Sequence, residues 1–313
     1  MLRILFVSSG NSKEGISPII AAQGKSIEKM DSSIKIDYFT IKGKGVKGYL
    51  KAISKLKKHL KNNNYDIVHA HYSLSAIVAS LAGAKPLVVS LMGSDIKAKK
   101  WFKWLILFFR NFFWSCSIVK SEDMRLSLGF KNIQVIPNGV DLNVFYPQEQ
   151  KKCQTKLNWD LEKKHILFPS NPERPEKNYQ LLEDSVNQLG SKFIQIHTLI
   201  DVPHKDVPFY LNAADVVVMT SLWEGSPNAI KEAMACNRLI VTTPVGDTEW
   251  LLKKVEGSYI TTFSSENVSK NIKKALEYSM LNNETKSRER IKELGLSSEL
   301  IANKLIKNYK KNQ

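Results

Sequence analysis

The chain has 313 residues, 43% of them apolar and 24% charged, and its formal net charge is +16. This balance is typical of a soluble globular protein, and the length predicts two domains of roughly 150 residues each. The three cysteines, Cys116, Cys153 and Cys236, are far apart and form no CxxC pair. That pattern argues against a disulfide framework or a zinc site, and it favours a reducing, cytoplasmic compartment.

The first half of the chain predicts alternating strands and helices. "MLRILFVSSG" is not followed by the cleavage site of a signal peptide, so we interpret residues 3–9 as a first strand. Further runs rich in β-branched residues are separated by stretches long enough for helices, at 34–40, 65–72, 86–92, 116–121 and 133–138. This alternation predicts parallel strands joined by crossover helices.

The second half repeats the same rhythm. Its predicted strands share the β-branched composition and lie at 165–170, 193–199, 215–221, 238–244 and 258–263. A polar stretch follows "PNGVDLNVFYP", so the joint between domains is expected within 147–160. We therefore predict an N-terminal α/β domain over 1–150 and a C-terminal α/β domain over 151–313.

Most of the positive charge lies in the first half. Residues 1–148 hold 22 lysines and arginines against 9 acidic residues, and 41–61 alone hold eight lysines and no acid. On a helix, six of these lysines share one side opposite an apolar stripe: Lys47, Lys51, Lys55, Lys57, Lys58 and Lys61. Two interpretations remain open, a solvated helix surface and a contact with an anionic membrane or nucleic acid.

An aromatic segment follows in the same half. "WFKWLILFFRNFFW", residues 101–114, contains Lys103 and Arg110 and is too short to span a bilayer. It predicts either a core helix or a helix that lies in the membrane interface.

Two carboxylates flank a predicted helix start in "EGSPNAIKEAMA". Ser226 and Pro227 have the form of an N-cap followed by a proline at the first helical position. Glu224 would then lie in the preceding loop and Glu232 about one and a half turns inside the helix. Free backbone N–H groups between them favour a bound anion. The alternative is a dipole-favoured acid and an exposed helical glutamate, with no ligand.

The motifs "EGSPNAIKEAMACN" and "PNGVDLNVFYP" resemble the retaining glycosyltransferases of family 4, whose members carry a Glu-x7-Glu element and a Pro-Asn-Gly-Val-Asp hinge. "YDIVHAHY", "NAADVVVMTS" and "VGDTEW" agree in order, and the style is closest to teichuronic-acid and capsule-type bacterial enzymes. The resemblance implies the GT-B fold, an α/β architecture of two Rossmann-like domains with parallel sheets facing a central cleft. It also implies an acceptor in the first domain, a nucleotide-sugar donor in the second, retention of configuration and no metal.

The resemblance also assigns donor-site residues. Glu224 matches the acid that meets the donor sugar, and Glu232 the acid that meets the ribose. The phosphate-facing turn consists of four residues: Gly225, Ser226, Pro227 and Asn228. Lys177 matches the lysine that clamps the diphosphate, and together with Glu224 it is the expected catalytic pair.

Three features depart from the family pattern. Pro172 stands where an arginine usually precedes the lysine, and Arg174 is the nearest substitute for donor binding. Met92 replaces the usual histidine of the reaction centre. The segment "IDVPHKDVPFYL", residues 200–211, compresses a region that bears on base recognition, so a UDP-linked and a GDP-linked donor both remain open.

Acceptor-side residues are expected after the first strands of the N-terminal domain. Gly10 lies in the glycine-bearing loop 8–15, His71 lies at the end of the predicted strand 65–72, and Asp95 follows the predicted strand 86–92. His69 and His71 could face one way, but the sequence offers no third ligand, so we expect no metal site.

The expected function is transfer of a sugar from a nucleotide-sugar to a glycan acceptor, in cell-surface polysaccharide synthesis. The acceptor would be lipid-linked and the protein peripheral at the inner face of the cell membrane, with no cofactor beyond the nucleotide-sugar substrate. Two alternatives differ in class: a nucleotide-sugar epimerase-like enzyme on the same fold, and a non-catalytic basic protein that binds nucleic acid or other anions. Against the latter, the basic helix lacks interleaved stacking aromatics, so we expect no nucleic-acid partner.

Overall fold

The structure, a computed structural model, divides into two compact units. It describes residues 1–11, 15–43, 45–96, 100–129, 133–190, 192–281 and 285–313. Unit 1 comprises Met1–Gly139 and Ser298–Gln313, and unit 2 comprises Val140–Ser297. The division expected after residue 150 is therefore displaced, because the chain enters unit 2 inside the "PNGVD" motif and its last segment packs with the first unit.

Each unit contains one parallel sheet. The strands of unit 1 are β1 (Leu2–Ser9), β2 (Ile34–Ile41), β3 (Ile67–His71), β4 (Leu87–Ser90), β5 (Cys116–Val119) and β6 (Gln134–Val135), in the order β2-β1-β3-β4-β5-β6. Those of unit 2 are β7 (Lys164–Phe168), β8 (Ile194–Thr198), β9 (Val216–Met219), β10 (Leu239–Thr242) and β11 (Tyr259–Ile260), in the order β11-β10-β9-β7-β8. Every predicted strand is confirmed, as is the parallel pairing within each domain.

Helices connect the strands. In unit 1 they are α1 (Pro18–Met30), α2 (Gly45–Asn62), α3 (Ser73–Leu81), α4 (Gly93–Ile96), α5 (Lys100–Phe113) and α6 (Glu122–Leu128). In unit 2 they are α7 (Gln150–Lys156), α8 (Tyr179–Leu189), α9 (Val207–Ala213), α10 (Asn228–Ala235), α11 (Thr248–Leu252), α12 (Ser265–Leu281) and α13 (Ser287–Glu293), with a 3₁₀ turn over Pro175–Lys177. The last helix, α14 (Ser298–Lys311), belongs to unit 1.

The central strands are buried on both faces, as continuous apolar runs predict for a parallel sheet. All residues of β3, β4, β9 and β10 are buried. In unit 1, Leu5 and Val7 share a core cluster with apolar residues of α2, α3 and α5. Phe6 alternates to the opposite face of β1, where its ring meets Tyr38 and His69.

Helices α2 and α5 both pack against α3, on one side of the unit 1 sheet. Leu56 of α2 is buried, with Tyr49, Ile53 and Leu60 packed beside it, so the predicted apolar stripe is confirmed. The six predicted lysines of α2 are exposed. In α5 Ile106 and Phe109 are buried, while four aromatic side chains are exposed: Trp101, Trp104, Phe108 and Phe112. The segment 101–114 is thus a core helix on one face and an aromatic surface on the other.

Among the residues described, no helix is both long and apolar enough to cross a membrane.

Candidate functional site

The predicted donor residues lie where the strands of unit 2 end. After β9, Thr220 donates its hydroxyl hydrogen to the carbonyls of Lys177 and Asn178, at 3.2 and 2.8 Å. This contact ties the loop after β9 to the 3₁₀ turn that follows β7. Loops at the carboxyl ends of parallel strands form the usual ligand edge of such sheets.

Lys177 and Glu224 meet at this edge. Lys177 Nζ donates to Glu224 Oε1 at 2.5 Å, and the hydroxyl of Ser221 donates to the same oxygen at 2.9 Å. The two side chains are 15% and 17% exposed, so the ion pair is shielded yet reachable from solvent. The pair identified from the sequence is therefore brought together across 47 positions of the chain.

A glycine after β10 holds the loop that carries Glu224. Gly246 has φ +59, and a Cβ there would lie 2.7 Å from the carbonyl oxygen of Gly225. Only glycine fits both the left-handed conformation and this close approach. The motif "VGD" thus packs its backbone directly against Gly225, the first residue of the turn that the sequence predicts to face the phosphates.

Helix α10 begins one residue later than the sequence predicts. Its N-cap is Pro227, its first residue is Asn228, and no side chain caps it. Ser226 is therefore not the N-cap; its hydroxyl instead accepts a hydrogen bond from Lys231 Nζ at 3.1 Å. The backbone N–H groups of the first turn still have no acceptor within the helix, which is what an anion site there requires.

Lys231 is a residue that the sequence reasoning missed. Its side chain lies on the buried face of α10 and is 1% exposed. Burial lowers its pKa to about 8, while the carboxylates of Asp247 and Glu232 act in the opposite direction. Its spacing of three and four from Met234 and Ala235, both buried, is the helical signal that could have placed it inside.

Glu232 lies beside a second missed residue, His204. Nε2 of His204 is 3.1 Å from Glu232 Oε1, close enough to donate a hydrogen bond to the carboxylate. The histidine comes from the compressed segment after β8, and its ring meets Phe145 at 5.4 Å between centroids.

Arg288 holds the segment that follows the hinge motif, including Phe145, in place. Arg288 donates to the carbonyls of Phe145, Leu142 and Ala235, at 2.5, 2.7 and 2.6 Å. These bonds attach the chain after "PNGVD" to the end of α10. The motif therefore supports the Glu232 side of the site from within unit 2.

Arg174 takes a different position from the one expected. Two nitrogens of its guanidinium, Nε and Nη2, donate to Glu176 Oε1, at 2.8 and 2.5 Å, and its side chain is 56% exposed. The structure thus engages Arg174 with Glu176, not with the Lys177–Glu224 pair. Its donor contact stays a prediction that this geometry does not favour.

The predicted acceptor-side residues lie at the corresponding edge of unit 1. The amide of Gly10 donates to the carbonyl of Ile41 at 2.8 Å, and a Cβ on Gly10 would lie 2.7 Å from Thr40 Cβ. The loop 8–15 in which it lies is described only in part, since 12–14 fall outside the described residues.

Asp95 is completely buried and fastens two loops. Its Oδ1 accepts hydrogen bonds from the amide and hydroxyl of Ser73, at 3.1 and 2.5 Å, and its Oδ2 accepts one from the amide of Met92. Burial raises its pKa to about 6. Both oxygens are engaged within the fold, so Asp95 supports this edge, and its expected place on the acceptor side stays a prediction.

His71 is also buried, with a ring 4.2 Å from that of His69. Burial lowers its pKa to about 3, and within the described part of the chain neither ring nitrogen has a hydrogen-bond partner. His69 by contrast bonds Tyr309 of α14 at 2.6 Å and Ser90 at 2.8 Å. No group of three or more His, Cys, Asp or Glu among the described residues could hold a metal ion; a metal-free reaction stays a prediction.

Two family models match the chain in sequence. One, described as Glycosyltransferase Family 4, matches residues 12–144. The other, described as Glycosyl transferases group 1, matches residues 163–278 and so covers both glutamates and Lys177.

Two curated proteins are similar over part of their length. The chain is 28% identical over 248 residues to the Escherichia coli UDP-Gal:alpha-D-GlcNAc-diphosphoundecaprenol alpha-1,3-galactosyltransferase, covering 65% of this chain and 64% of that protein. It is 26% identical over 216 residues to TuaC of Bacillus subtilis (strain 168), named as a teichuronic acid biosynthesis glycosyltransferase, covering 60% and 56%. The chain thus spans less than two thirds of each relative.

A solved structure extends the likeness to the whole chain. Anabaena HepE, in complex with UDP and glucose, superposes with a TM-score of 0.77 at 17% identity, covering 98% of this chain and 99% of that one. At this identity the likeness shows the fold, two Rossmann-like domains of the GT-B type. Together with the two matched segments it supports a glycosyltransferase family with that fold.

Proposed function

We propose that this protein is a retaining, metal-independent glycosyltransferase that moves a sugar from a nucleotide-sugar to a glycan acceptor. The observation that carries the proposal is the Lys177–Glu224 pair, 2.5 Å apart, beside the first turn of α10, with Glu232 further along the same helix. A cation and helix amides suit a diphosphate, whereas carboxylates accept hydrogen bonds from sugar hydroxyls.

The chemistry needs charge stabilisation more than a nucleophile. As the bond between the anomeric carbon and the diphosphate oxygen breaks, negative charge grows on the leaving group. The N-terminus of α10 and Lys177 stabilise that charge. The acceptor oxygen forms the new bond to the anomeric carbon on the same face, and its proton passes to the leaving phosphate. The carboxylate of Glu224 holds the sugar by accepting hydrogen bonds from the sugar hydroxyls.

The nucleoside end is assigned to Glu232. Its carboxylate accepts hydrogen bonds from the ribose hydroxyls, and His204 keeps it oriented from the other side at 3.1 Å. Of the two candidate donors, the UDP-linked one is favoured over the GDP-linked one, because the galactosyltransferase relative is named for UDP-Gal and HepE is in complex with UDP.

The acceptor is proposed to be a lipid-linked glycan in cell-surface polysaccharide synthesis, at the inner face of the membrane. The name of the Escherichia coli relative gives it a diphosphoundecaprenol-linked acceptor, and the name of the Bacillus subtilis relative assigns it to teichuronic acid biosynthesis. In unit 1, the lysine face of α2 and the aromatic face of α5 lie on the same side of the sheet. Lysines attract anionic lipid headgroups, and tryptophan and phenylalanine enter the interfacial region.

The test is a nucleotide screen followed by a transfer assay. UDP, GDP and their hexose conjugates are compared by thermal shift, and the preferred donor is incubated with a lipid-diphosphate-linked sugar. We expect a UDP conjugate to raise the melting temperature, and transfer to give a product with the anomeric configuration of the donor, read by NMR. Glu224→Gln is the matched control and should bind nucleotide without transfer.

Other outcomes would contradict the proposal in distinct ways. An inverted product would remove the retaining mechanism. Conversion of the donor to a different nucleotide-sugar without acceptor would indicate the epimerase-like alternative. Absence of any nucleotide effect on melting would remove the donor site itself.

A further inference from the structure

The phosphate-facing turn, residues 225–228, has a lysine behind it that no part of the proposed mechanism uses. Lys231 is 1% exposed, and its Nζ donates to the hydroxyl of Ser226 at 3.1 Å. An ammonium group buried at this depth needs compensation from hydrogen bonds or charges, because leaving water is costly. Its Nζ nevertheless lies directly behind the turn that would meet the donor.

The direction of the Lys231 side chain explains how its ammonium group reaches the turn. Helical side chains point back toward the N-terminus of their helix, so Lys231 projects from α10 toward its own first turn. Its Nζ reaches the second residue of the turn, and its positive charge lies on the protein side of the helix amides. Lys177 approaches the same edge from the 3₁₀ turn after β7. The two lysines differ in exposure, 15% for Lys177 against 1% for Lys231.

We propose that Lys231 is a positioning residue of the donor site: its ammonium group orients Ser226 and places a solvent-shielded positive charge behind the turn, so that the donor diphosphate binds the protonated form. The inference rests on the proposed function, because it requires a diphosphate at the turn. A shielded charge acts more strongly than an exposed one, since little water screens it.

The charges around Lys231 come from several elements. Asp247 follows β10 and Glu232 is next to Lys231 on α10, and both favour the charged form. His204 faces Glu232 from the segment after β8, Lys177 and Glu224 face the turn, and Arg288 of α13 binds the opposite end of α10.

Burial outweighs these carboxylates in the ligand-free protein and leaves the pKa of Lys231 at about 8. A bound diphosphate favours the ammonium form, so binding must take up a proton once the pH exceeds that value. Affinity should consequently fall as pH rises through about 8.

The experiment measures UDP affinity by calorimetry at pH 7, 8 and 9. The terminal phosphate of UDP is ionised throughout this range, because its pKa is near 6. For the wild type, the protonated fraction of a group with a pKa of about 8 falls about tenfold between pH 7 and pH 9. The dissociation constant should therefore rise about tenfold.

Three variants isolate the residue. Lys231→Met should bind UDP more weakly at pH 7 and show no fall in affinity toward pH 9. Asp247→Asn removes a carboxylate that supports the ammonium form, so its loss of affinity should begin at lower pH. The control, Lys270→Met, makes the same change at an exposed lysine of α12 and should follow the wild type.

The outcomes separate the inference from the function on which it rests. A fall with pH that persists in Lys231→Met, or a uniform weakening with an unchanged pH profile, overturns the role of Lys231 while leaving the donor site intact. If Lys231→Met does not fold, an unshifted profile in Asp247→Asn overturns the role instead. A wild type that binds no UDP at any pH overturns both.

Discussion

The ionisable side chains singled out at the carboxyl edges of the two parallel sheets differ in their exposure to solvent. In unit 2, Lys177 and Glu224 form an ion pair that solvent can reach. In unit 1, burial raises the pKa of Asp95 to about 6 and lowers that of His71 to about 3, so both pKa values move toward favouring the neutral form. The same architecture thus leaves an ion pair within reach of solvent at one edge and buries Asp95 and His71 at the other. We infer that unit 2 meets a charged ligand with its sheet edge, whereas unit 1 carries its accessible charge on helix α2.

The largest effects should come from the ion pair of unit 2. Glu224→Gln keeps the shape but removes the negative charge that we propose meets the sugar, so turnover should fall by at least about 100-fold while UDP affinity stays within about threefold. Lys177→Ala should lower both, because its cation serves the diphosphate. Steady-state kinetics and calorimetry with UDP measure the two. The reverse pattern, with Glu224→Gln losing UDP and Lys177→Ala silent, would mean that the donor lies the other way round.

The helix surface of unit 1 gives the next effect. Reversing the charge of Lys51, Lys55 and Lys58 to glutamate should abolish sedimentation with anionic vesicles, since each lysine near such a surface contributes about 1 kcal/mol. Binding of the wild type should weaken as salt rises, because charges more than about 10 Å apart are screened at 0.1 M. UDP binding should be unchanged.

A charge-matched control reverses three exposed lysines of α12 in unit 2: Lys270, Lys273 and Lys274. This variant should still sediment with anionic vesicles. Equal binding of the wild type to neutral and anionic vesicles, or to neither, would leave the lysine face of α2 as a solvated surface.

The ribose end of unit 2 should show an intermediate effect. Glu232→Ala removes a charged acceptor and should weaken UDP binding by about 1 to 3 kcal/mol. His204→Ala should weaken it less, because the histidine acts through that carboxylate. Unchanged affinity of Glu232→Ala for UDP, measured by calorimetry, would remove the ribose assignment.

The burial of His71 in unit 1 can be tested through the stability of the protein in acid. His71 has its pKa lowered from 6.5 to about 3, so its contribution to the free energy of unfolding is present above pH 6.5 and is lost as pH falls toward 3. His71→Phe lacks this titration, because phenylalanine places no ring nitrogen at this buried position. Between pH 7 and pH 5, urea unfolding should therefore show a loss about 2 kcal/mol smaller than in the wild type.

Asp95 titrates in the wild type and in His71→Phe alike, so its contribution to the pH dependence of stability cancels in this comparison. Equal slopes in the wild type and in His71→Phe would show that the ring of His71 is not shielded from water.

The smallest effect is expected for Arg174, which borders the charged edge without joining it. Since its guanidinium bonds Glu176 and is largely exposed, Arg174→Ala should change KM for the donor by less than about threefold. A loss of donor binding as large as that in Lys177→Ala would indicate instead that Arg174 contacts the diphosphate.

The sequence predicts the strands well because parallel strands are buried on both faces and read as β-branched runs. It also picks out Glu224 and Lys177, which the structure brings together, and Glu232 on α10; their roles toward a donor stay predictions. It does not predict that α14 returns to unit 1, because the bond from His69 to Tyr309 spans 240 positions and no local period records it.

The misplaced helix cap and the missed residues have a related cause. Ser226 has the local form of an N-cap, but the buried Lys231, five positions further along the chain, donates a hydrogen bond to its hydroxyl. His204 is polar in an irregular segment, and only the fold brings it to Glu232, 28 positions away. Local chemistry thus indicates which side chains can bind, and tertiary contacts decide which of them do.

The divided unit 1 has a consequence for synthesis on the ribosome. Residues 1–139 emerge first, but α14, whose Tyr309 is fully buried against the sheet, emerges only after the whole of unit 2. Unit 2 is continuous and can close while translation proceeds, whereas the surface of unit 1 that α14 covers is completed only afterwards. Within this sequence, unit 1 is therefore begun before unit 2 and completed after it.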